Sequence, residues 1–349
     1  MLKSKSPQRV SSARLALVLA AALAAAGCGL FRTSRKVSVP QPLTPLAGAD
    51  LPQLLAEVNR QANVQTLQGR VDIQFLDTSF AECGIAEKYR TADGRLIVQR
   101  PGQIYLSIQV PVIGTKIAEM SSNGERFWAA VYQGDEKYRR FVTGTNRAVY
   151  ERLEANGGQS PDCRQDGARR EAAMQRATVS ALSSLRPQHF TEALLVPPVA
   201  APGSNLLYAA AETFEEEPDP RPAARKDARV VRGYYVMSEL EPQGEGRARV
   251  LRRFWFDRVG SVRLARVQTY NERGQLVTDV VFSNPQGFGS TARRLPAQIE
   301  LTRPQDRYSI RVAFQDPAAV EVDVPRDPEI FVLKNSSGLP EVDLDAGRR

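Results

Sequence analysis

The sequence predicts a mainly β, α+β chain: one large curved antiparallel sheet, with an N-terminal helix and central helices over its concave face. Three observations carry this. Apolar residues alternate with polar ones in many short runs, as in Ile104, Leu106, Ile108 and Val110, which is the period of a half-buried strand. Turn pairs such as Asn123-Gly124 separate the runs closely enough for hairpins. Helical spacing is confined to three stretches, too few to cover a long sheet that has one apolar face. Such a sheet must curl, leaving a concave apolar interior of the kind that takes a lipid or another apolar ligand.

The elements follow in order. Residues 28–49 hold Pro40, Pro42 and Pro45 without periodicity, the composition of a flexible tether reaching about 25 Å. Asp50 caps a helix to Ala62, with Pro52 in its first turn and Leu51, Leu54, Leu55 and Val58 on one face. Strands are predicted through Leu67–Phe75, then Tyr89–Gln99 with a hairpin turn at Asp93-Gly94, Ile104–Val110, Thr115–Met120, Arg126–Tyr132 and Lys137–Val142. Ala173, Met174, Ala177, Ala181 and Leu185 mark a helix over 169–185, and Pro187 starts a shorter one ended by Pro197-Pro198. Strands resume at Asn205–Phe214. The charged, Pro-rich run Glu215–Asp227 reads as a mobile loop. Val230–Leu240, Arg249–Asp257, Val262–Asn271, Gln275–Asn284, Ala297–Arg303, Tyr308–Gln315 and Val320–Val324 complete the meander. The domain is expected to span 50–334, with a loose tail over 335–349.

Charge separates the N-terminus from the rest. The chain has 47 Lys plus Arg against 39 Asp plus Glu, a net +8. Lys3, Lys5, Arg9 and Arg14 precede an apolar run from Leu15 to Ala26, about the length of a signal-peptide core and too short to span a bilayer comfortably. Without residues 1–27, 43 basic residues face 39 acidic ones. The basic balance therefore mainly reports export, and a nucleic-acid partner is not expected. Ala25-Ala26-Gly27-Cys28 resembles the lipobox of bacterial lipoproteins, although Ala25 stands where the family prefers Leu. The resemblance makes Cys28 an acylated anchor in membrane lipid; the other reading is a plain secretory signal. Gly29 replaces the Asp that resembles an inner-membrane retention signal, so the outer membrane, facing the periplasm, is expected. Cys83 and Cys163 remain as a possible disulfide in that oxidising compartment, or as two free thiols.

The runs Gly69–Phe75, Arg100–Leu106 and Ser122–Trp128 look like the outer-membrane lipoprotein carrier and receptor (LolA/LolB-like) superfamily. Phe256–Gly260, Val267–Tyr270 and Leu295–Pro304 extend the likeness in element order over about 50 to 333. The resemblance implies an open half-barrel lidded by helices and holding acyl chains. Val110-Pro-Val-Ile-Gly-Thr115 resembles the family's protruding membrane-contacting loop, with Val112 and Ile113 at the tip; a buried strand connection is the competing reading.

Other chemistries lack their residues. His189 is the single imidazole, no nucleophile elbow occurs, and a solvated or helix-surface His is expected. Three Cys and one His do not supply the usual four-ligand zinc sets. No catalytic site, metal or cofactor is expected. Phe254 and Phe256 share one strand face opposite Trp255, as core or as cavity lining. Leu106, Ile108, Phe127 and Ile310 are expected to face the same interior. The function expected is a monomeric lipoprotein that buries acyl chains or another hydrophobic ligand, in lipoprotein localisation or insertion, with other lipoproteins as partners. The alternative is a non-transferring envelope sensor or assembly protein that binds a protein partner through the same fold.

Overall fold

The computed structural model describes residues 39–77, 87–88, 91–133, 136, 139–146, 148, 186–200, 204–290 and 293–346. Cys28, Cys83, Cys163, the signal segment and the 169–185 helix lie outside the described residues. Two units are distinguished, Met1–Gln41 and Pro42–Arg349. Of the first, only residues 39–41 are described; there the Gln41 amide donates to Val39 O at 3.2 Å.

The second unit opens with α1, Leu51–Ala62. The Asp50 carboxylate accepts from Gln53 N–H at 2.9 Å and the Gln53 amide oxygen accepts from Asp50 N–H at 2.9 Å, satisfying two of the helix's orphan donors reciprocally. Leu54, Val58, Gln61 and Ala62 form its buried face. The first meander follows: β1 (Thr66–Asp77), β2 (Ala92–Gln99), β3 (Gln103–Gln109), β4 (Lys116–Asn123), β5 (Arg126–Val131) and β6 (Arg140–Thr145). Next come α2, Pro187–Leu194, and the second meander: β7 (Leu207–Pro218), β8 (Arg229–Gly244), β9 (Arg247–Asp257), β10 (Arg263–Tyr270), β11 (Leu276–Phe288), β12 (Arg293–Arg303) and β13 (Tyr308–Phe314). Strand β14 is Glu341–Asp343.

Each meander strand pairs antiparallel with the next, and β13 pairs with β1, placing Ile310 against Phe75 and Val312 against Ile73. The two meanders thereby become one open sheet running from β7 through β13 and β1 to β6. Its ladder brings Met237, Phe254, Val267, Val280, Leu301, Ile310 and Phe75 into one row across seven strands. All seven are buried, and they belong to the core beneath α1 and α2. The mainly β half-barrel with helices on its concave face is thus the observed architecture.

Several local expectations are corrected. Residues 92–99 form one uninterrupted strand, with Asp93 opposite Asp72 and Gly94 opposite Val71. Gly94 serves close packing rather than a turn: a Cβ there would lie 2.7 Å from Ile73 Cδ1 and 3.2 Å from Ser107 O. Glu215–Pro218 belong to β7, where Glu216 opposes Val231 and Glu217 opposes Val230. Ion pairs from Glu216 to Arg229 and from Glu217 to Arg232 hold the acidic run in strand. Of Val320–Val324 only Glu321–Val322 pairs, against Leu67 and Gln68.

The boundaries also move. Residues 43–49 are strapped to the body: Leu43 N–H donates to Val231 O, Ala47 N–H to Arg258 O and Gly260 N–H to Pro45 O, at 2.8, 2.8 and 3.0 Å. The region read as loose tail is ordered through β14, which pairs parallel with Phe141–Thr143 and buries Leu339. No helix among the described residues is long and apolar enough to cross a membrane.

Gly94→Val is expected to destabilise the chain by about 2 kcal/mol through overpacking, measured by denaturant unfolding. Replacement without cost would return this position to the turn the sequence predicts.

Candidate functional site

Three features converge on chemistry: the concave interior, a groove where the sheet parts, and an exposed loop. The interior is closed by a lid of α1, α2 and residues 195–200. Apolar periodicity supplies the seal, since Phe190, Ala193, Leu194, Leu195, Val196 and Val199 are all buried. Polar latches fix its position. Asn59 donates to Val199 O at 3.2 Å and accepts from Val199 N–H at 3.0 Å. Arg100 donates to Val64 O and Val196 O, both at 2.8 Å. Arg252 donates to Pro198 O at 3.2 Å and pairs with the buried Glu239. A void of about 10 Å³ remains under this lid, room for roughly one water.

His189 is 5 % exposed, not the solvated side chain the sequence predicts. It faces β13 and shares a 2.6 Å hydrogen bond with the Tyr308 hydroxyl. Burial, then the positive charges of Arg303 and Arg186, hold its pKa well below the ordinary value of 6.5. Burial also pushes the Tyr308 hydroxyl upward. Both groups are therefore neutral at pH 7, which an apolar site favours.

The groove lies where β10 and β11 separate. Their pairing stops at Arg266 and Val281; beyond it Arg263 and Leu264 pair with β9 alone, and Phe282–Phe288 continue along β12. The cause is local. Pro285 has no N–H to offer a neighbouring strand, and Asn284 sits at φ 52°, which turns the strand. The end of α1 bridges the gap. Glu57 Oε1 accepts from Leu264 N–H at 3.2 Å, and Arg60 donates to Arg294 O at 3.3 Å.

The resulting groove holds about 820 Å³, within the range of small-molecule sites. Trp255 and Tyr234 stand edge to face in its wall, 5.7 Å apart. Arg232 bonds Glu217 and Asp257 at 2.9 Å each, and Arg263 bonds Asp257 at 2.9 Å. Gln61, Phe282, Leu295 and Pro296 line both the groove and the apolar void, so polar and apolar spaces share one wall.

The third feature is the β3–β4 connection. Val110 N–H donates to Thr115 O at 2.9 Å and Gly114 N–H to Val110 O at 3.0 Å, closing a tight loop. Val112 is fully exposed at its tip and Ile113 is 76 % exposed. Val112 also holds φ 70°, a strained conformation for a β-branched residue. The base is braced on the other side of the hairpin. Glu119 accepts from Tyr105, Tyr132 and Lys116 at 2.5, 2.6 and 2.7 Å. Burial followed by the Glu119 contact pushes the Tyr105 hydroxyl up to about 12.

The residues expected to line a cavity are placed as follows. Phe254, Phe256, Leu106 and Ile310 are buried in the core beneath the lid, and Ile108 packs against that core half-buried. Phe127 is buried, with the Arg186 guanidinium 5.3 Å from its ring centroid. None of the six lines the groove or the void. Gln61 and the groove escaped the sequence reading. The available signals were a polar residue continuing the Leu54–Val58 stripe and prolines inside strand runs. Among the described residues no group of three or more His, Cys, Asp or Glu could hold a metal ion.

No protein-family model matches the chain, and no curated protein matches it. Solved structures similar to it include a DUF1329 family protein from Desulfovibrio piger, at 11% identity over 82% of this chain and 96% of that one, with TM-score 0.38. A LolA superfamily protein from Nitrosomonas europaea is 10% identical over 82% and 99% of the two chains, with TM-score 0.38. A domain assigned as an outer membrane lipoprotein-sorting protein, from Vibrio parahaemolyticus, is 11% identical over 80% and 94%, with TM-score 0.36.

The low His189 pKa gives a signed expectation. The unfolded chain takes up a proton near pH 6.5 and the folded one does not. This contribution to stability is therefore complete above that value and is lost as pH falls below it, with a limiting slope of about 1.4 kcal/mol per pH unit. Thermal unfolding between pH 7.5 and 5 (roughly the histidine range) should show a steeper loss for the wild type than for His189→Gln. Parallel curves would place the titration elsewhere.

Proposed function

We propose that this chain is a periplasm-facing lipoprotein of the bacterial envelope, anchored at Cys28 in the outer membrane, that binds acyl chains or another hydrophobic ligand without covalent chemistry. The observation that carries the reading is the single apolar face, continuous across both meanders and covered by a lid rather than by a second sheet. A lidded sheet exchanges its cover more readily than a sandwich does, because the covering pieces here are short and joined to the body by a few polar latches.

The energetics fit reversible binding. Each methylene taken from water contributes about 0.8 kcal/mol, so a long acyl chain gains on the order of 10 kcal/mol before ordering costs. With about 10 Å³ in the void beneath Leu194 and Val196, a chain entering there must displace lid side chains that are themselves apolar. Much of its burial replaces contacts already made, and the net affinity falls to a level from which a carrier can release its cargo. Leu106, Phe254, Phe256 and Ile310 then become ligand contacts when the lid lifts, with Ile108 and Phe127 at the β3–β5 side. Clients would be acylated molecules, other lipoproteins among them, and the chain acts as a monomer. The exposed, strained Val112-Ile113 tip supports membrane contact during delivery. Its two β-branched side chains are what a bilayer interface would accept, and water gives no reason to keep them there.

One observation favours a second reading. Among the described residues the core beneath the lid is closely packed, which suits a sensor or assembly protein that uses the sheet as a rigid platform for a protein partner.

The mature chain bearing Cys28→Ser should bind a dansylated fatty acid saturably, one per chain, in fluorescence titration. Absence of saturable binding supports the platform reading. Val112→Gly should raise stability by about 1 kcal/mol by relieving the left-handed strain and should lower co-flotation with anionic phospholipid vesicles. Unchanged flotation would remove the loop from the membrane.

A further inference from the structure

Gln61 occupies an unusual place. It is 8 % exposed and lies on the apolar stripe of α1, three residues beyond Val58. It lines both the open groove and the apolar void. Its side-chain amide forms no hydrogen bond with any other described residue. The amide is not among the fully buried polar atoms left without a partner; it reaches the open groove, where a ligand can take the place of water on it, as Leu or Met at this position would not allow. Its neighbours are committed elsewhere: Arg60 to Glu57, Arg263 to Asp257, and Arg232 to Glu217 and Asp257.

The geometry points to Gln61 as the receptor for the ester or amide carbonyl of an acylated ligand that enters between β10 and β11. This inference rests on the hydrophobic-ligand reading above and deepens it. The chemistry follows from the surroundings. On one side of Gln61 lie Val64, Leu67, Leu194 and Phe288, suited to methylenes. On the other lie Trp255, Tyr234, the ion-paired Arg232 and Arg263, and Arg294, suited to a polar head. An acylated compound has its carbonyl at the junction of its own two halves, and the Gln61 amide stands at the same junction of the site. The amide both donates and accepts, so it serves an ester by donation and an amide linkage by donation and acceptance. Arg60, Arg232 and Arg263 are ion-paired there, and Arg294 on the same wall forms no ion pair with another described residue. The parted strands supply the access, and Glu57 keeps them parted by satisfying Leu264 N–H.

The test uses the mature chain bearing Cys28→Ser, with monolauroylglycerol and its ether counterpart dodecylglycerol, which has the same chain and head but no carbonyl. Calorimetric titration below the micelle threshold should give the wild type about a tenfold preference for the ester, the worth of one buried hydrogen bond. In Gln61→Met and Gln61→Leu the preference should fall below about twofold, through weaker ester binding with ether binding kept. The melting temperature of both variants should stay level or rise. Equal preference in wild type and variants, with both compounds bound, overturns the role of Gln61 and leaves the binding function standing. A clear fall in melting temperature in both variants overturns the premise that the amide has no partner in the protein. Failure of both compounds to bind the wild type overturns the hydrophobic-ligand reading, and the inference with it.

Discussion

The pairing of β13 with β1 is the constraint on which the molecule depends. Strands nearly 240 residues apart in sequence meet there (Phe75 faces Ile310), and each side contributes half of one apolar surface. Without this ladder the two meanders would be separate sheets, each with an exposed edge and an uncovered face, and neither has helices enough to bury itself. Long-range pairing is entropically costly to form. It is held here by Val71, Ile73, Val312 and Phe314, buried on the same face, and by Glu321–Val322 continuing along the same flank of β1.

The lid answers the requirement that this joined face creates. Its seal is apolar and non-directional, whereas its position is set by directional bonds. Asn59 holds Val199, Arg100 holds Val64 and Val196, and Arg252 joins the lid to Glu239. Backbone carbonyls of an irregular segment need partners when they are covered, and two arginines and an asparagine supply them. A cover built this way detaches by exchanging few bonds, while the sheet beneath keeps its ladder. The groove obeys the same economy. The β10–β11 ladder ends at Arg266 and Val281, short of the turn at Asn284 and Pro285, and Glu57 satisfies the Leu264 amide beyond it.

Strand alternation was legible because it reports local geometry: Ile104, Leu106 and Ile108 turn inward wherever β3 lies in the sheet. The Asp50 cap and the Leu54–Val58 stripe were legible for the same reason. Gly94 was misread because the same residue type serves turns and close strand contacts, and only the approach of Ile73 and Ser107 distinguishes them. The acidic run at 215–218 was misread because its partners, Arg229 and Arg232, lie across a hairpin. His189 was misread because nothing near it in sequence announces Tyr308.

By itself, then, the sequence determined the class of the fold, the strands and their faces, the two described helices and the charge division at residue 27. All of these follow from periodicity, capping and composition, which act between near neighbours. Only the tertiary structure decided that the meanders share one sheet, that the strap and the C-terminal segment join it, and that His189 is sealed against β13. It also decided that a groove opens beside Gln61. These depend on contacts between residues far apart in the chain, whose free energy no local pattern encodes.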